Sequence, residues 1–168
     1  MAVTFDATSK SATGSSEVPA FNHTPTGTPA LVVVMIGQRA GTGEDTVTGV
    51  TYGGVAMTRA HYVSNANGQA VYIYELLSGI LTGVQSVDCA GGTLVKHATC
   101  ATFTAAAAVT RDDTNKTGGT GSTANPSLDL TGTGTGGQWV LILSDDLASL
   151  PTARTNITLI SATDTGQW

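Results

Sequence analysis

The stretch that most restricts this chain is ALVVVMI, residues 30–36, an unbroken run of seven apolar residues. It is too short to cross a bilayer as a helix, which needs ~20 residues. Read as a strand, its successive side chains point to opposite faces. An unbroken apolar run is therefore apolar on both faces. Such a strand belongs in the middle of a sheet, with cover on each side.

The rest of the chain is written in the same idiom. It has 29 Thr and 21 Gly, with 40% hydrophobic and only 11% charged residues among 168. Thr is β-branched and suits the solvent face of a sheet. Gly supplies the positive φ of tight turns. Strand segments follow one another between turn residues. They are AVTFDA (2–7), ALVVVMIG, the hairpin TVTGVTYGGVAMTRAHYV (46–63), AVYIYELL (70–77), VQSVDC (84–89) and ATCATFTAAAAV (98–109). A short one follows at LDL (128–130), a strong one at QWVLILS (138–144) and a weak one at NITLISA (156–162). Gly53-Gly54 fits a two-residue primed turn. Thr8–Ser16, Phe21–Pro29 and 111–127 read as loops, and DDLASLPTART (145–155) as holding one short helical turn. The run Ala105–Ala108 is helical by propensity, but its flanks argue for strand. About ten short strands with almost no helix predict an all-β, two-sheet antiparallel β-sandwich, jelly-roll-like, built as a single domain over 1–168.

Charge narrows the partners. The net charge is −5, and the seven Lys and Arg are scattered from Lys10 to Arg154. No basic stripe forms, so no nucleic acid is expected. MAVTFDATSK has no basic region followed by an apolar run, so synthesis in a cytoplasm and no membrane insertion are expected.

Candidates for chemistry are sparse. Cys89 and Cys100 can face each other across a hairpin as a disulfide, or sit as two buried thiols. His97 lies nearby, but no second pair completes a zinc site. Asp112, Asp113 and Asn115 offer oxygens to calcium, against a solvated loop with Asx turns; no Glu closes an EF-hand loop. Asp145-Asp146 suit a helix cap. His23, His61 and His97 have no G-x-S-x-G serine to act on. A carboxylate pair of the glycosidase kind would draw on Glu17, Glu44 and Glu75, and Glu75 reads as a surface residue. GTGEDT and TGTGTGG lack the Lys and following helix of a phosphate loop. No catalytic residue, cofactor or metal is therefore expected. Tyr72 and Tyr74 share one strand face, either as a platform for a glycan or as part of the core with hydroxyls at its rim.

One pattern carries more. Val50, Tyr52, Gly54, Met57 and Thr58, then Tyr72 and Tyr74, then Gly83, Val84 and Val87, resemble a β-sandwich module of tailed-phage virion proteins. VTFDATS, LVVVMIG, ATCATFTA, Pro126-Ser127 and WVLILS extend the resemblance over most of the chain. The chain departs from the module in LLSGILTG, a turn without proline, and in stopping at Trp168 before closing strands. A truncated sequence, or completion of the sheet by a neighbouring chain, is the expectation. The resemblance implies a non-enzymatic structural protein of a bacteriophage particle, most of all a capsid decoration protein. Its partners would be the major capsid protein and copies of itself, as a trimer. Its place would be the outer surface of the virion, with loops such as Gly118–Ala124 projecting. A receptor- or glycan-binding module of a tail fibre or adhesin is the alternative.

Overall fold

A computed structural model describes residues 3–12, 18–39, 45–64, 69–91 and 95–110. Nine strands order these residues: β1 (Val3–Lys10), β2 (Phe21–His23), β3 (Leu31–Arg39), β4 (Gly49–Tyr52), β5 (Val55–Ala56), β6 (Thr58–Ser64), β7 (Gln69–Leu76), β8 (Gln85–Ala90) and β9 (Val95–Ala105). They form two antiparallel sheets, one of five strands in the order β1-β9-β3-β7-β6 and one of four in the order β2-β8-β4-β5. The sheets pack face to face as an all-β sandwich, as the strand pattern predicts. No helix among the described residues is long and apolar enough to cross a membrane.

The apolar run lies where its two-faced pattern requires. β3 is flanked by β9 and β7, with Val34 opposite Cys100 on one side and Tyr74 on the other. Val32, Val34 and Ile36 enter the main core, together with Val50, Tyr52, Tyr72, Tyr74, Val87 and Cys89. Val33 and Met35 face the other way, into a second apolar cluster with Ala101 and Phe103. Phe5 meets Phe103 edge to face at 6.1 Å.

The hairpin forms with Gly53 and Gly54 at φ of 57° and 81°, the left-handed values of a primed turn. Its second arm differs from the expected continuous strand. β5 pairs with β4 for two residues, the Met57 amide donates to the Val50 carbonyl, and β6 then joins the other sheet beside β7. Met57 is buried where the chain crosses between layers.

Three loop boundaries are corrected. β1 runs on to Lys10, because Thr8, Ser9 and Lys10 pair with Ala101, Cys100 and Thr99 beyond a bulge. Phe21–His23 is a strand, because it pairs with Gln85–Val87. β9 ends at Ala105, so three of the four alanines of the run lie beyond it, exposed. The strands, helical turn and polar loops expected between 111 and 168 lie outside the described residues.

Candidate functional site

Asp is a poor strand residue, yet Asp6 sits in the middle of β1. The fold gives it four donors. The Thr26 and Gly27 amides donate to its carboxylate at 3.2 and 2.8 Å, and the Thr26 hydroxyl donates as well. The Thr102 hydroxyl of β9 donates to Oδ2 at 2.9 Å. Burial pushes this carboxyl upward, but the hydrogen bonds from Thr26, Thr102 and Gly27 together hold it below its ordinary value.

The chain of contacts continues inward. His23 Nε2 lies 3.1 Å from Thr102 Oγ1, and Nδ1 lies 3.1 Å from Ser9 Oγ. A carboxylate only accepts, so the Thr102 proton belongs to Asp6. Thr102 Oγ1 then accepts from Nε2–H, which leaves the Nδ1 lone pair to accept from Ser9 Oγ–H. For the neutral ring, the form that burial favours, this places the proton on Nε2. Burial lowers the His23 pKa, and the Asp6 charge only partly opposes this. His23 and Thr102 are both fully buried. Their network joins β2 of one sheet to β1 and β9 of the other, along the flank where the sheets meet.

Tyr52 stands beside it, its ring 6.2 Å from that of His23. Burial, with the nearby Cys100 and Asp6, pushes its hydroxyl up to about 12. The hydroxyl donates to the Leu81 carbonyl at 3.3 Å.

The expected site residues fall elsewhere. Tyr72 and Tyr74 do share one face of β7, but it is the inner face, and both are buried. They do not form an exposed platform, because the second sheet covers that face. Thr46 N–H donates to the Tyr72 hydroxyl at 3.1 Å, and Tyr74 Oη–H donates to the Val47 carbonyl at 3.3 Å. Cys89 and Cys100 are buried thiols not joined in a disulfide. They do not oppose each other across a hairpin, since β8 and β9 belong to different sheets. Both enter the main core as small apolar residues, and burial raises the Cys100 thiol far above its usual value.

Glu75 is half-buried in β7 rather than fully at the surface. His61 and His97 stand apart from His23, on β6 and β9. Among the described residues no three His, Cys, Asp or Glu converge as metal ligands. Asp112, Asp113, Asn115, Asp145 and Asp146 lie outside the described residues.

Two surface features complete the inventory. An open depression is lined by Asp45, Val47, Thr48, Met57, Arg59 and Tyr74. Arg59 pairs with Asp45 at its rim and lies 5.7 Å from the centre of the Tyr62 ring. Both partners of that pair are exposed, and such pairs contribute little. The other feature is the turn between β7 and β8, which presents Leu81 and Val84, 42% and 64% exposed. Gly79 and Gly83 hold positive φ on either side of Leu81. The Gln85 amide donates to the Thr82 carbonyl at 2.6 Å. Two apolar side chains are thus displayed on a turn held by the Gln85–Thr82 bond and by Tyr52 of β4.

The Asp6–Thr102–His23–Ser9 chain escapes a sequence reading because its members are up to 96 residues apart. The signal that marks it is an Asp inside a strand of otherwise β-compatible residues, VTFDATS. Comparison with known proteins finds no match: no family model, no curated protein and no solved structure is similar to this chain.

Proposed function

We propose that this chain is a non-enzymatic structural protein of a tailed-phage particle, a decoration protein bound to the outer surface of the capsid. Its partners in this reading are the major capsid protein and further copies of itself around a threefold position. The residues that resemble the phage module support it through their roles in the fold. Val50, Tyr52, Met57, Tyr72, Tyr74 and Val87 fill the core, while Gly54 and Gly83 take the positive φ of turns.

The observation that carries the reading is the β7–β8 turn. Leu81 and Val84 are the exposed large hydrophobic residues among those described. They stand on a backbone fixed by Tyr52, Gln85 and two glycines. A pre-ordered contact loses little entropy on binding. Repeated over a lattice, a small contact of this kind adds up to firm attachment. The buried polar groups, by contrast, face one another and tie the two sheets together.

The test uses antibodies against the purified chain, applied to gradient-purified particles from a lysate of the source cells and viewed by immunogold electron microscopy. Regular labelling over the head is expected. Labelling confined to the tail tip would move the reading to receptor binding, and particles without the chain would end it. Changing Leu81→Ser with Val84→Ser is expected to weaken rebinding to stripped particles without lowering the melting temperature.

A further inference from the structure

We propose that the outer face of the five-stranded sheet is the docking site of this chain's own segment 138–144, QWVLILS. The proposal is independent of the role in a particle and rests on burial. On the face turned away from the four-stranded sheet, Phe103 is 0%, Ala101 1% and Val33 4% exposed. Val3, Phe5, Leu31, Met35 and Ile73 pack against them. Every one of these residues belongs to β1, β3, β7 or β9, that is, to the sheet itself. Neighbours within a sheet flank a side chain but do not roof it, because side chains stand roughly perpendicular to the sheet. A Phe side chain with no exposure needs a layer above. On the inner face that layer is the other sheet, and on the outer face no described strand supplies it.

His61 gives a second sign. It lies opposite Ile73, a member of this cluster. Its Nε2 is buried without a hydrogen-bond partner. Uncovered, such a nitrogen at a sheet edge would be hydrated.

The occupant follows from what the chain has left to offer. Outside the described residues lie 1–2, MA; 13–17, TGSSE; 40–44, AGTGE; 65–68, NANG; 92–94, GTL; and 111–168. The first five are too short to roof a sheet face. The last is 58 residues long and follows β9, the strand that carries Ala101 and Phe103. Within it, QWVLILS is the longest apolar run. Its alternation sets Trp139, Leu141 and Leu143 against Val140 and Ile142. Like 30–36, it is apolar on both sides and needs cover.

Trp139 also provides the measurement. The chain has two tryptophans, Trp139 and Trp168, so the full-length Trp168→Phe protein reports on Trp139 alone. Its emission is expected to be blue-shifted and shielded from acrylamide. Adding Met35→Lys on the outer face is expected to shift the emission to the red and raise quenching several-fold, with the far-ultraviolet dichroism of the sandwich retained. Should Met35→Lys fail to fold, Met35→Gln gives the same change at smaller size. A solvent-exposed Trp139 in the folded Trp168→Phe protein would overturn the proposal. So would a shielded Trp139 that ignores both substitutions. A shielding that disappears on dilution, with a dimer seen by sedimentation, would overturn it in favour of a second copy.

Discussion

The two flanks of the sandwich are joined in opposite ways. Where β1 and β9 meet β2, the sheets are linked by the polar chain Asp6–Thr102–His23–Ser9. Where β6 and β7 lie over the other sheet, the Tyr72 and Tyr74 hydroxyls reach the segment that leads into β4. The Tyr62 and Tyr72 rings lie 4.9 Å apart, and the inner hydroxyls reach Gln38, Thr46 and Val47. A tyrosine brings a large apolar body with one polar tip, so a single partner completes it. A buried histidine has two polar nitrogens and a charge state, so it is tolerated only within a closed network. One flank draws its stability from area, the other from completeness.

Truncation at the tyrosine flank is therefore expected to do the most damage. Tyr72→Ala empties a fully buried site. Removing a buried aromatic side chain costs about 3–5 kcal/mol. Urea denaturation should show this as a fall in the midpoint with an unchanged slope. A loss under ~1 kcal/mol would mean that the two flanks do not differ in this way.

At the polar flank the largest single effect is expected from Asp6→Ala. It leaves Thr102 inside, and Thr26 and Gly27 at the rim, without their shared acceptor. Hydrogen bonds to a charged group contribute about 1.5–3 kcal/mol, and a loss of about 2 kcal/mol is expected here. If the network is the unit, Asp6→Ala and Thr102→Val combined will cost less than the sum of the two alone. Additive costs in that double-mutant cycle would dissolve the network into independent bonds.

The same contrast explains how much was legible in the sequence. ALVVVMI shows its two-sided burial because strand period and apolar pattern are local. The Gly53-Gly54 turn is legible for the same reason. The face shared by Tyr72 and Tyr74 also follows from period two, but which face points inward depends on where the second sheet lies. That is why the sequence allows a platform beside the commoner core reading. β2 was hidden in a loop because three residues carry too little pattern. Its strand character comes from pairing with β8, more than sixty residues later. The site was the least legible part. Ser9, His23 and Thr102 are unremarkable in sequence: the register of β1 with β9 brings Ser9 and Thr102 near each other, and His23 of β2 reaches them only because the two sheets pack together.

Titration separates the flanks next. In the unfolded chain His23 takes up a proton near its ordinary value of 6.5, and in the fold burial lowers that value. The unfolded state therefore binds the proton more readily as pH falls. The stability from a neutral His23 is fully present above 6.5 and is lost as pH drops from there toward the folded value. His97 acts in the same direction, through burial and then the Lys10 charge. Asp6, held below 3.8, keeps its contribution until pH falls under that value. Tyr72 and Tyr74 are raised above 10.0, chiefly by burial. Their share is present below pH 10 and is lost as pH rises beyond it. Acid should thus loosen the polar flank, and alkali should loosen the aromatic flank together with Tyr52, which stands beside His23 and is raised as well. In melting curves against pH, His23→Gln is expected to flatten the slope just below 6.5 and leave the alkaline limb alone. An unchanged acid slope would remove His23 from this role.

The smallest expected effect is the removal of one hydroxyl from the tyrosine flank. Tyr74 Oη donates to the Val47 carbonyl at 3.3 Å, longer than a typical bond of this type. Tyr74→Phe keeps the ring, and with it nearly all the buried area. The weak bond to Val47 goes, together with the contact to the exposed Arg59 side chain, so a cost of about 0.5 kcal/mol is expected, at the low end for such bonds. Thr102→Val at the opposite flank also removes one hydroxyl from a side chain of similar shape. That hydroxyl, however, both donates to Asp6 and lies within reach of His23, and its loss leaves Nε2 of a fully buried ring without a partner. Chemical denaturation of the two variants side by side should place Thr102→Val well above Tyr74→Phe. Equal costs would show that the polar flank gains nothing from being a closed network.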